Sequence, residues 1–300
     1  MNSCAELNAR YGAPGRIVFH DGFAGYPEVV VANKYGTAEV ALLGGNVLSY
    51  RPTGTGPVVF RPAKRDYNRG EPLHGGIPVC WPQFGSRFDK SLPQHGFARM
   101  MVFEVRGSQY SEDMTEVTLG LRSDAETKKL WPHDFDLELV VSVSMKLNLK
   151  LVTKNTGTAP FALSCGFHPY LLLRERDAVT VRGLSGLDYV NGYTGTDETQ
   201  EGDLLMDHAT DHVFRLPEEP KHETAVIDPG LRRALALVST GNTRTVVWNP
   251  GPDRPLPDLG PEDWRKFVCV EPVSDWPGGR ELAAGATYGL TMALQATLDA

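Results

Sequence analysis

Between Phe135 and Leu151 every odd-numbered position is apolar: Phe135, Leu137, Leu139, Val141, Val143, Met145, Leu147, Leu149 and Leu151. Most even-numbered positions are polar. A repeat of two gives an extended chain one buried and one wet face. At about 3.3 Å per residue, an unbroken strand of this length would exceed roughly 50 Å, too long for one sheet. The pattern therefore predicts a hairpin that turns near Lys146 to Asn148 with its register kept. Weaker alternation recurs along the chain. Pro27 to Pro52, with Ala38, Val40 and Leu42 in step and a Gly44-Gly45 turn, predicts two or three strands. Val58 to Phe60 reads as a short strand, and Met101 to Arg106 with Glu116 to Arg122 as a pair. In FALSCGFHPYLLL (Phe161 to Leu173), Phe161, Leu163, Cys165 and Phe167 face one way. Ala162, Ser164, Gly166 and His168 face the other, with a bend at Pro169. Val246 to Pro250, Phe267 to Pro272 and Tyr288 to Leu294 complete the strands.

The best helix is Ser123 to Trp131, where Ser123 and Glu126 have capping-box spacing and Pro132 stops the turn. No long amphipathic helix occurs. The prediction is an all-β, mostly antiparallel sandwich of sheets with few short helices. No repeat or linker divides it, so residues 1–300 read as a single domain.

Three stretches break the pattern. Leu73 to Arg99 carries Gly75, Gly76, Gly85 and Gly96, three prolines, His74 and His95, threaded with apolar residues including Trp81 and Phe97. Glycine and proline at this density mean fixed turns and close backbone approach, and the apolar residues mean the loop is packed; such loops carry functional groups. Gly183 to Glu223 reads as loop-rich and acidic, and Pro250 to Asp263 as a surface loop.

Composition adds two constraints. The net charge is −7, which argues against a nucleic-acid partner. From Arg61 to Arg99, however, seven basic residues (Arg61, Lys64, Arg65, Arg69, Arg87, Lys90, Arg99) face three acids. That segment is +4 and the remainder is −11. A basic segment in an acidic protein suits an anionic small molecule. No apolar run reaches the roughly 20 residues of a membrane span, and the N-terminus has no signal-peptide pattern. The four cysteines show no CxxC spacing. They read as reduced thiols in a cytoplasmic protein.

No HxH or HExxH spacing points to a metal, no GxSxG elbow to a serine nucleophile, and no P-loop to a nucleotide; no metal or cofactor is expected. Cys80, Cys165 and Cys269 have apolar flanks and read as buried fillers. What remains is His95, His168, Asp211 and Glu271, a set able to act as base and acid without a cofactor. Periodicity alone leaves His168 equally readable as a core histidine and Glu271 as a strand-end residue paired with an arginine.

HGGIPVCWPQFG, LPQHGFAR, KLWP, GFHPYL, VVWNP and FVCVEP, in this order, resemble the hexose-6-phosphate mutarotase (glucose-6-phosphate 1-epimerase) branch of the aldose 1-epimerase family, from about Val40 onward. The resemblance implies a β-supersandwich of the galactose mutarotase type. It implies cofactor-free interconversion of the anomers of a hexose 6-phosphate, with Glu271 as general base at the C1 hydroxyl and His168 as general acid at the ring oxygen. Gln94 and Arg99 match substrate-binding positions, Asp211 a position that binds sugar hydroxyls, and His95 lines the pocket. Trp81 and Trp248 could offer apolar faces to the sugar. The branch reads RGGIP where this chain reads HGGIP, so His74 stands at a phosphate-contacting arginine position, and Arg61, Lys64, Arg65 or Arg69 could substitute. Two alternatives follow: the same chemistry on a neutral aldose, or a non-catalytic carbohydrate-binding module. The expected partner is a small sugar or sugar phosphate, the expected state a monomer.

Overall fold

The computed structural model describes residues 2–62, 73–86 and 89–298. Lys64, Arg65, Arg69 and Arg87 lie outside the described residues. The alternating segments form antiparallel sheets. The strand Thr287–Leu298 lies near the middle of a nine-stranded sheet, between Arg233–Thr240 and Leu147–Asn155. The strand Phe267–Val273 lies within an eight-stranded sheet, beside Arg244–Asn249. Ile17–Asp21, Pro27–Asn33, Gly36–Ala41 and Val47–Pro52 make a four-stranded sheet, and Phe161–Leu163 pairs with Arg280–Leu282.

The two large sheets share one core. Leu137, Leu139, Leu149, Leu151, Leu235, Leu290 and Leu294 meet Phe167, Phe214, Val247, Val268 and Val270 in one buried cluster, joined by Val29, Val31 and Val40. Each fully buried Leu or Val contributes about 1.5–3 kcal/mol, so this cluster sets the sandwich. The eight-stranded sheet therefore commits one parity of its residues to the core. The other parity, which includes Val213, Val246, His168 and Glu271, faces away, and that face carries the candidate site.

The long period-two segment is a hairpin, Phe135–Val143 paired with Leu147–Asn155. Its turn is Ser144 to Lys146, slightly earlier than predicted. The Ser144 N–H donates to the Lys146 carbonyl and Ser144 Oγ accepts the Lys146 N–H there, and Met145, at the tip, is the exposed member of the apolar series. Val59 makes only an isolated bridge to Leu171, so the predicted Val58–Phe60 strand is absent. The helix predicted over Ser123 to Trp131 shrinks to Thr127–Leu130, because Asp124, not Ser123, caps it: its Oδ1 accepts from Glu126 and Thr127 N–H at 2.9 and 2.7 Å. A capping box does occur where the sequence reading placed no helix, between Ser3 and Glu6 on Cys4–Tyr11. The pair His222–Asp228 and Arg233–Thr240 was likewise not anticipated. The acidic stretch after Gly183 contains a strand, Thr210–Arg215, where a loop was expected.

The loop from Leu73 to Arg99 is bolted to the sheets. Trp81 is fully buried against Phe97, Trp131 and Phe135, and its indole N–H donates to Thr153 Oγ1 at 2.9 Å. Trp81 is thus core, not a sugar-facing ring. Gln83, also fully buried, accepts the Asp89 N–H and directs its amide at the Asp89, Leu92 and Pro93 carbonyls. His95 and Gly96 both take positive φ, 61° and 71°. The return at Gly96 is so close that a Cβ would stand 2.0 Å from the Trp81 carbonyl oxygen.

Gly96→Ala therefore combines left-handed strain with a backbone clash and should cost roughly 3 kcal/mol or more in urea unfolding. Gly54→Ala, at φ 85° but with open space around the added methyl, should cost only about 1 kcal/mol. Equal losses at the two positions would contradict this account of the loop.

Candidate active site

The register of the eight-stranded sheet writes the site as two rows of side chains. Asp211 pairs with Trp248, Trp248 with Cys269, and Cys269 with Tyr170. One step along, Val213 pairs with Val246 and Val246 with Glu271. The pairings on either side of His168, Gly166 with Val273 and Tyr170 with Cys269, set His168 across from Glu271. Pro169 interrupts the strand, yet the His168 backbone N–H still reaches the Pro78 carbonyl at 3.0 Å. Glu271 lies within its strand, not at its end as the sequence suggested.

Above this face is a cavity of about 450 Å³. All seven residues singled out in the sequence, His74, Gln94, His95, Arg99, His168, Asp211 and Glu271, line it. Trp248 lines it too. Trp276, Phe84 and Leu256 also contribute and were not anticipated; isolated apolar residues in loops carry no sequence signal of which cavity they face. A larger cavity, about 800 Å³, lies between the N-terminal helix and Glu104–Tyr110. Its central cation, Arg106, is already paired with Glu104 and Asp136, and it holds no acid–base pair. Size does not pick out the site; chemistry does.

The centre is His168 with Glu271. Nε2 of the ring lies 3.5 Å from Glu271 Oε2, both side chains are buried, and that oxygen has no hydrogen-bond partner. The imidazole is held parallel to Tyr170, 4.9 Å between centroids, with Trp248 and His95 edge-on at 5.7 and 5.4 Å. Burial pushes the Glu271 carboxyl well above the usual carboxylate range, and the nearby Asp211 charge adds to the shift. Burial pushes His168 well below the ordinary imidazole value, reinforced by His95, Arg99 and His74. Removing an ion from water costs several kcal/mol even after relaxation. Both shifts favour the neutral acid and the neutral imidazole over the ion pair.

The flanking groups are fixed by their own partners. His95 Nδ1 accepts the Gly85 N–H at 3.3 Å, which leaves its proton on Nε2, and burial with Arg99 and His74 nearby pushes the ring down to about 3. Arg99 donates through Nη2 to the Gln94 carbonyl at 2.7 Å, while its Nε is buried without a partner. Asp211 stands beside Gly192, where a Cβ would lie 2.3 Å from its Oδ2, so the glycine keeps room for the carboxylate. His74 is gripped by Asp258: Nδ1 is 2.6 Å from Oδ1 and the backbone N–H 2.8 Å from Oδ2. Burial pushes Asp258 up, but these two donors outweigh it and hold the carboxyl below its ordinary value. Nδ1 is thereby the donor to Asp258. Asp258 lies in the predicted surface loop, 184 residues from His74, and nothing in the sequence pointed to the contact.

Known proteins resemble this chain over most of its length. The model of the aldose 1-epimerase family matches residues 27–295. A candidate glucose-6-phosphate 1-epimerase of Salmonella typhimurium is 30% identical over 251 residues, 82% of each chain. The crystal structure of a candidate mutarotase from the same organism superimposes with a TM-score of 0.86 at 25% identity, over 98% of this chain and 99% of that one. A galactose mutarotase-like protein of Clostridium acetobutylicum gives 0.77 at 17% identity, over 94% and 98%. The fold is of the galactose mutarotase type.

The His95 environment has a spectroscopic consequence. In an NMR pH titration its ring resonances should stay at their neutral positions from pH 8 to below about 5, because the ring is held down to about 3. A midpoint near 6.5 would contradict the buried, Gly85-bonded ring.

Proposed function

The chain belongs to the aldose 1-epimerase family, and we propose that it interconverts the α and β anomers of a hexose 6-phosphate, glucose 6-phosphate foremost. The observation that carries the reading is the buried Glu271–His168 pair with no other partner for the carboxyl oxygen. The hemiacetal oxygens O1 and O5 are both bonded to C1, so a base and an acid serving them must stand close together. In the reactive form Glu271 is a carboxylate and His168 an imidazolium. Glu271 takes the O1 proton, the C1–O5 bond breaks as C1=O1 forms, and His168 gives its proton to O5. The aldehyde turns about C1–C2. O5 then attacks the other face, returning its proton to His168 while Glu271 reprotonates O1. Ring opening neutralises both side chains, and burial favours that neutral form, so the site drives the proton transfer that opens the ring. Reclosure uses the same two groups in reverse.

Binding roles follow from the walls. Asp211 accepts sugar hydroxyls, and His95 Nε2 and Gln94 donate to them. Arg99, with its unused Nε, faces the phosphate, and His74 Nε2 is the second contact to it. The His74–Asp258 contact also supports a second reading, a neutral aldose as substrate, since the carboxylate offsets any positive charge on the ring. A binding module has no use for a buried acid–base pair. The continuous core supports one domain. Among the described residues no helix is long and apolar enough to cross a membrane. With three buried free cysteines, the cytoplasm is the compartment this reading implies.

Anomer exchange by NMR, run in parallel on glucose 6-phosphate and glucose, tests the reading. Exchange faster than spontaneous is expected for the phosphate, and Glu271→Gln should lower kcat by roughly 10²–10⁴-fold with the fold intact. Arg99→Met should raise KM for the phosphate at least about tenfold, near 1.4 kcal/mol, with little effect on kcat. Exchange for glucose alone would establish the neutral-sugar reading. An unimpaired Glu271→Gln would overturn the mechanism. The acid limb of kcat/KM should fall below the ordinary imidazole value of 6.5, because His168 resists its proton.

A further inference from the structure

Two groups of metal-ligating side chains occur among the described residues. The first, His20, Glu28 and Glu39, is already served by a cation. Arg61 Nη1 lies 2.5 Å from Glu39, and Nη2 3.9 Å from Glu28. The second lies on the face described above: ring nitrogen of His168, thiol of Cys269 and carboxylate of Glu271, within 4.8 Å of one another and all buried. Cys269 takes no part in the acid–base chemistry. It stands one step from Glu271 on the same face of the strand, opposite Tyr170. Among the described residues no guanidinium or ammonium is paired with Glu271, and its Oε2 and His168 Nδ1 are buried without hydrogen-bond partners.

We infer that His168, Cys269 and Glu271 form an inhibitory site for a soft divalent cation of the zinc type. Zinc takes thiolate at about 2.3 Å and imidazole or carboxylate at about 2.0–2.2 Å, so two ligands of one ion must lie within roughly 4.4 Å. The His168–Glu271 separation of 3.5 Å meets that already. The donor set suits zinc and excludes magnesium and calcium, which require oxygen ligands throughout. Three protein ligands leave a fourth position; His168 and Glu271 line the cavity and give the ion access, and the fully buried Cys269 completes the set. Coordination releases the thiol proton, and the proton of the Glu271 carboxyl, to solvent. While the ion is held, Glu271 cannot accept the O1 proton and His168 cannot donate to O5. Inhibition is then competitive with the sugar. That inhibition rests on the catalytic reading above; binding of the ion does not.

The test uses Co²⁺ as a visible probe and Zn²⁺ as inhibitor on the purified full chain, with Cys269→Ser and Cys269→Ala. Co²⁺ should give an intense near-ultraviolet thiolate-to-cobalt band in the parent, displaced by glucose 6-phosphate and absent from both variants. Zn²⁺ should slow anomer exchange, with recovery on adding EDTA. Both variants should keep the parent rate without metal and need at least about tenfold more Zn²⁺ for the same inhibition. Lack of the cobalt band in the parent, or variants as sensitive to Zn²⁺ as the parent, would overturn the proposal. If a variant fails to fold, the parent spectrum decides alone: a band displaced by sugar phosphate supports the site, and no band refutes it. A band in a parent that shows no anomer exchange would uphold the metal site and sink the isomerase reading instead.

Discussion

A carboxyl group buried on a sheet face, with one imidazole within reach and no cation among the described residues paired with it, is the constraint around which this molecule is arranged. An isolated ionised carboxylate in such a place would cost several kcal/mol. Burial favours the protonated form of Glu271 and the neutral form of His168. The pair is stable as neutral groups and reactive as an ion pair, and a substrate whose ring opening consumes the ion pair gains from that preference. A salt bridge to an arginine would have made Glu271 safer and useless as a base.

The scaffold serves this arrangement at each level. The sandwich takes one parity of the eight-stranded sheet for its core, which frees the opposite parity for chemistry without loss of buried area. Register then sets His168 across from Glu271 and Trp248 beside Cys269. The glycine-rich loop brings the second layer over that face. Its shape depends on polar groups that are fully spent inside the protein, Gln83 on four backbone partners and Trp81 on Thr153. His95 holds a positive φ, a cost of order 1 kcal/mol for a residue with a side chain, and faces the cavity as a donor.

Much of this was legible in the sequence. Period-two segments such as Phe135 to Leu151 announce their strands because burial of one face leaves an unmistakable trace. The loop around His74 and His95 announces itself through glycine and proline. The catalytic and substrate-binding residues chosen by motif resemblance line the cavity, with Trp248, while Trp81 went to the core; periodicity alone left His168 and Glu271 ambiguous. What escaped was set by tertiary contact. Thr210–Arg215 pairs between two strands and is stabilised by burial of His212 and Phe214, which an acidic, turn-rich context conceals. The His74–Asp258 grip joins two loops far apart in the chain. The Ser123–Glu126 spacing matched a capping box, yet Asp124 stood one residue closer and took the N–H groups first.

The account depends most on whether Glu271 carries a proton in the resting protein. Infrared difference spectroscopy of the unliganded protein at pH 7, parent minus Glu271→Gln, reads it directly. The account predicts a protonated-carboxyl C=O band in the parent that vanishes in the variant and is lost on raising the pH. A parent that shows only carboxylate bands for Glu271 at pH 7, with His168 as imidazolium, would contradict it.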